Sequence, residues 1–149
     1  MKAVRGWREN LWRVDLDENR FYWKLVDGKI PAVKKESLGK TGLALLPLQK
    51  LKLNTRRAVS FEREIHDFLS TTFNGYTVYS GNISGHWKDD LEKNHYGEHR
   101  AYKVALPHED AIKAFEIFLA GLAFEMEEVC IYVEIGTDIL LVYAQDLGG

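Results

Sequence analysis

The sequence predicts an α+β fold, an antiparallel sheet with two helices on one face. Three observations carry this expectation. Segments with period-two alternation of apolar residues interleave with two segments of helical period. Their order from residue 46 onward is strand, helix, strand, strand, helix, strand and a closing strand, as in the split βαβ unit of ferredoxin-like folds. The chain has 149 residues, 46% of them apolar and 28% charged, enough for one ordinary core.

Residues 1–45 read as a β-rich N-terminal extension, and residues 46–149 as the ferredoxin-like domain. In the extension "LWRVDL" and "RFYWKLV" alternate around "DEN", placing Trp12, Val14 and Leu16 on one face and Phe21, Trp23 and Leu25 on another. "KKESLGKTG" is the polar connector. "LALLPLQKLKLN" then enters the core as a strand, with Pro47 marking an irregularity or an edge near its start.

"SFEREIHDFLSTTFNG" is a helix with its own punctuation. Ser60 caps it, Glu62 and Glu64 favour its first turn, and Asn74-Gly75 stop it. Phe61, Ile65, Phe68, Leu69 and Phe73 form its apolar stripe, with His66 on the surface. "YTVYSGNISGHW" and "EHRAYKVAL" are strands joined by the loop "KDDLEKNHYG", and Pro107 ends the second. "HEDAIKAFEIFLAGLAFEMEE" is a long helix with the stripe Ile112, Phe115, Leu119, Leu122 and Met126. Ile117, Phe118 and Phe124 lie off that stripe and require a second partner. "VCIYVEI" and "ILLVYAQ" close the chain as a hairpin, apolar on both faces.

Bulk properties narrow the function classes. A net charge of −2 gives no electrostatic case for nucleic acid. No apolar run is long enough to span a bilayer, and no apolar leader segment is visible, so a cytoplasmic protein without a membrane partner is expected. Cys130 is the single cysteine and reads as a buried core residue.

The stretch "GNISGHWKDDLEKNHYGEHR" concentrates the chemistry, with three of the five histidines, a tryptophan and several acids. His86, His95 and His99 near Asp89, Asp90 and Glu98 match no compact metal motif, so no metal and no cofactor are expected. Ser80 and Ser84 lie near His86 without a nucleophile elbow. The remaining option is a ligand pocket at the sheet edge. There Trp87 offers a π-face and Glu98 a carboxylate, a pairing suited to a cationic organic ligand. The plain alternative is that Trp87 fills core and Glu98 is a solvated strand end.

The run "EIHDFLSTTFNGYTVYSGNISGHWKDD", a glutamate opening the next strand, a long helix and "VCIYVEIGTDILLVYA" together resemble the small phage-encoded S-adenosylmethionine lyases, formerly called hydrolases. The resemblance spans roughly residues 48–145. It implies a PII-like variant of the ferredoxin-like fold and a homotrimer with the ligand site between subunits. It also implies a nucleoside-type ligand. The family's catalytic glutamate falls on Glu98. The substrate-lining aromatic falls on Trp87, where the family has tyrosine, with Gly85 and Tyr79 expected nearby. In the implied reaction the substrate's own carboxylate attacks its γ-carbon. This expels 5′-methylthioadenosine, leaves homoserine lactone, and would deplete a methyl donor against restriction systems. The alternatives are a non-catalytic oligomer of the same fold that sequesters a nucleotide-like molecule, and a protein-interaction module.

Overall fold

The computed structural model describes residues 12–14, 23–25 and 32–148. The chain divides into two compact units, Met1–Ser37 and Leu38–Gly149. In the first, β1 (Trp12–Val14) pairs antiparallel with β2 (Trp23–Leu25), Trp12 opposite Leu25 and Val14 opposite Trp23. The expected faces formed with Leu16 and Phe21 lie outside the described residues.

The second unit begins before the 45/46 boundary that the sequence suggested, because its first strand, β3 (Lys40–Pro47), starts within the supposed connector. Pro47 ends this strand instead of opening it, and Leu48–Lys50 follow as a 3-10 turn. The reason is physical: β3 is the central strand, bonded on both sides, and a residue without an N–H cannot continue such a strand. There follow α1 (Phe61–Thr72), β4 (Thr77–Lys88), β5 (Asn94–Leu106), α2 (Glu109–Glu125), β6 (Cys130–Ile135) and β7 (Asp138–Tyr143). The five strands form one antiparallel sheet in the order β4-β5-β3-β6-β7. Each helix thus carries the chain across one intervening strand, which is the ferredoxin-like arrangement with β7 added at one edge.

Both helices pack on the same face. Ala44, Leu46, Val104, Leu106, Ile131, Val133 and Ile135 from the sheet join Phe61, Ile65 and Leu69 of α1 and Phe115, Leu119 and Leu122 of α2 in one core. Gly42 allows a close approach within this core, since a Cβ there would lie 2.6 Å from Leu106 Cδ1 and 3.1 Å from the Phe115 ring. Ser60 caps α1 as expected, its Oγ accepting the Arg63 N–H at 3.1 Å. His108 caps α2, its Nδ1 accepting from Ala111 N. Of the surplus apolar residues on α2, Phe118 is satisfied within the fold, stacked on Phe68 of α1 with ring centroids 3.9 Å apart. Ile117 and Phe124 remain exposed. Cys130 is buried, and burial pushes its thiol pKa up. No helix among the described residues is long and apolar enough to cross a membrane.

Candidate functional site

Half of the segment expected as a ten-residue loop is strand. β4 and β5 pair out to Lys88 opposite Asn94, leaving only Asp89–Lys93 as the turn. The alternation continues because the turn closes itself. Asp89 N–H donates to the Lys93 carbonyl at 3.0 Å, and Asp89 Oδ1 accepts from Leu91 N and Lys93 N at 2.8 and 2.9 Å. Glu92 takes the left-handed conformation, φ 60°. The register places Trp87 opposite His95, Gly85 opposite Gly97 and Ile83 opposite His99, so these side chains share the sheet face away from the helices.

The hairpin reaches over that face toward the far edge. Asp90 N–H donates to Tyr143 Oη on β7 at 2.8 Å. The Trp87 ring lies 5.0 Å from His99 and 5.3 Å from Tyr132 of β6, centroid to centroid. The two-sided apolar character of β6 and β7 therefore has an internal partner in part, the tip of the β4–β5 hairpin.

Between the hairpin, the end of β3, the 3-10 turn and the start of β6 lies a cleft of about 130 Å³. Trp87, His95, Glu98, His99, Lys50 and Glu128 border it. Glu98 alternates with Gly97 and His99 along β5. It therefore leaves the strand on the face opposite Trp87, and the two meet only as separate walls of the cleft. The Glu98 side chain is exposed and makes no ion pair or hydrogen bond with the described residues. Lys50 is engaged, its Nζ donating to the Met126 carbonyl at 2.6 Å and pairing with Glu128 at 3.4 Å. It thereby supplies the cation that the C-terminus of α2 lacks. His99 is buried with Nδ1 unpartnered, and burial holds its pKa below the ordinary imidazole value, so the ring is neutral at pH 7. The charge balance of the cleft thus favours a cation.

Two expected site residues stand apart from the cleft walls. Gly85 lies beneath the Trp87 ring. Tyr79 sits beyond a bulge between Tyr79 and Ile83, half-exposed, with Lys103 Nζ 3.5 Å from its hydroxyl. His86 faces the other way, edge-on to Tyr96, and no group of possible metal ligands gathers among the described residues.

The sequence reading missed a pair. Asp89 is buried at the tip, and its Oδ2 accepts from His95 Nε2 at 2.8 Å. The hydrogen bond from His95, joined by those from Lys93 and Leu91, holds its pKa below the usual carboxylate value. The signal was the spacing of Asp89 and His95 across a tight turn, which becomes visible only once the strands extend to the tip. Tyr132 was also missed, hidden in an alternating strand.

A larger hollow of about 320 Å³ lies on the helix side, lined by Glu62, Arg63, His66, Tyr76, Arg100 and Tyr102 among others. Its polar groups already satisfy one another. Glu62 takes Lys52 and Arg100, Arg63 takes Asp67 at 3.0 Å, and His66 takes Tyr76 Oη at 2.6 Å. Its charges are paired, whereas the Glu98 carboxylate is unpaired among the described residues.

Comparison with solved structures supplies the remaining observation. The fold is similar to that of a phage S-adenosylmethionine lyase. That enzyme, solved in complex with S-methyl-5′-thioadenosine, superposes with a TM-score of 0.50 over 77% of this chain and 97% of its own. Sequence identity is 11%, so the likeness is one of fold. No protein-family model and no curated protein matches the sequence.

Proposed function

We propose that this chain binds an adenosyl sulfonium, of which S-adenosylmethionine is the type, at the Trp87–Glu98 cleft and cleaves it as a lyase. The observation that carries the reading is that Glu98, whose carboxylate is unpaired among the described residues, and Trp87 both border one cleft. The fold shared with a lyase that holds a thioadenosine supports it. The carboxylate would hold the ligand's ammonium or sulfonium, and the indole would pack on the sulfonium or the adenine. Such a reaction asks little of the protein. The substrate carboxylate oxygen bonds to Cγ, the Cγ–S bond breaks, and sulfur leaves as a neutral thioether. Holding a bent conformer and excluding water are the protein's contribution.

A cleft of about 130 Å³ is small against the roughly 300 Å³ or more of typical ligand sites. A neighbouring subunit therefore completes it, and the assembly we propose is a homotrimer. The exposed Ile117 and Phe124 give apolar surface for such contacts. Sedimentation showing a monomer at micromolar concentration would contradict the assembly.

The deciding experiment is incubation with S-adenosylmethionine and chromatography for 5′-methylthioadenosine and homoserine lactone. Product above the protein-free rate supports the lyase reading, and none overturns it. A second reading, binding without turnover, is favoured by one feature. Trp87 has no hydroxyl where the resembled family carries tyrosine. Calorimetric binding of the substrate with no product assigns that role.

A further inference from the structure

We propose a second activity in the same cleft, the opening of a lactone by water, with His95 as general base and Asp89 as the carboxylate that orients it. This inference rests on the lyase reading, which supplies the lactone. The cleavage itself needs no base, because sulfonium is already a good leaving group. Yet His95, which borders the cleft, is paired with the buried Asp89 carboxylate, and the cleavage leaves that pair unused.

The pair is well built. The Asp89 side chain is 2% exposed. Its two oxygens take three donors, Leu91 N and Lys93 N on Oδ1 and His95 Nε2 on Oδ2. An ionised carboxylate accepts only, so the hydrogen of this bond is on His95 Nε2, and in that neutral tautomer Nδ1 is the nitrogen with the lone pair. Asp90 N–H bonded to Tyr143 Oη fixes the turn to β7, so the dyad is anchored at both ends. His95 stands opposite Trp87 in the ladder and borders the cleft, 17% exposed at its side chain. The other titratable or charged groups bordering that space are Glu98, Glu128, Lys50, Tyr96, the Cys130 thiol, whose pKa burial raises, and the neutral His99. Asp89 already accepts two backbone donors within the turn, and the imidazole is additional to them.

The step balances with water alone. His95 Nδ1 takes a proton from water as the water oxygen bonds to the lactone carbonyl carbon. The tetrahedral intermediate collapses by breaking the ring C–O bond, and the imidazolium returns its proton to the departing alkoxide. The product is the open hydroxy acid, homoserine.

The test uses the full chain with synthetic L-homoserine lactone at pH 7, followed by NMR against a protein-free blank. We expect wild type to accelerate opening by about 10²-fold, the lower range for a positioned general base. His95→Gln keeps an amide donor for Asp89 but cannot shuttle a proton, and its rate falls to within a few-fold of the blank with the fold intact by circular dichroism. Asp89→Asn lowers the rate and displaces the pH at which it rises. Opening by wild type at the blank rate overturns the proposal. So does a His95→Gln rate equal to wild type, which leaves the dyad as a fastening of the turn. The two readings fail separately. 5′-Methylthioadenosine formed while the lactone persists overturns this inference alone. Lactone opening without 5′-methylthioadenosine formation supports the dyad and overturns the lyase reading.

Discussion

The Trp87 indole lies across Gly85. A Cβ at residue 85 would sit 2.9 Å from ring atom Cη2 and closer still to Cζ3. The two residues are i and i+2 on one strand face, so the glycine is what lets the tryptophan fold back against His99 and Tyr132. Gly85→Ala forces the ring aside. We expect a destabilisation of about 1–3 kcal/mol, the usual cost of overpacking, read as a lower urea midpoint at unchanged slope. A midpoint equal to wild type means the ring relocates freely, and the indole wall of the cleft is then not fixed.

Glu98→Gln separates function from stability. The side chain is exposed and unpaired, so the midpoint should move by less than about 0.5 kcal/mol. A charge-assisted contact is worth roughly 1.5–3 kcal/mol, so affinity for a cationic ligand should fall about ten- to a hundred-fold, and turnover with it. Wild-type affinity in this variant would remove Glu98 from the site.

Asp89 predicts an acid-sensitive turn. Its folded pKa lies below the ordinary carboxylate value, chiefly through the His95 hydrogen bond. A depressed pKa contributes stability that is complete above the unfolded value, about 3.9, and is lost as pH falls through the lower folded value. Hydrogen-exchange protection of the Leu91 and Lys93 amides should therefore persist through pH 5 and collapse below about pH 4. Loss of protection already near pH 6, well above the carboxylate range, would overturn this account of the turn.

Glu127 offers a stability gain. It ends α2 in the left-handed region, φ 59°, where Glu128 N–H bonds the Ala123 carbonyl and Glu127 N–H the Phe124 carbonyl. Glycine is the residue suited to that position. Glu127→Gly should raise stability by about 0.5–1 kcal/mol, seen as a higher thermal midpoint. A lower midpoint would mean that the glutamate side chain contributes more than its backbone strain costs.

The sequence by itself determined the elements and their order. The stripe Phe61, Ile65, Leu69 and Phe73 is buried as its helical spacing requires, and Ser60 caps where its hydroxyl can reach a free N–H. Period and capping are local properties, set by residues a few positions apart. What only the tertiary structure decided depends on contacts between distant segments. Pro47 closes its strand instead of opening it because β3 turns out to be central, and centrality is a matter of which strands neighbour it. Phe118 needs no second subunit because α1 brings Phe68 against it. Trp87 and Glu98 border one cleft from opposite sides of the ladder, a relation that depends on where β3, the 3-10 turn and β6 lie around the hairpin. The Asp89–His95 pair exists because the strands run to the very tip of the hairpin. That extension is sustained by cross-strand pairing and by Tyr143 on the far edge, 53 residues beyond Asp90.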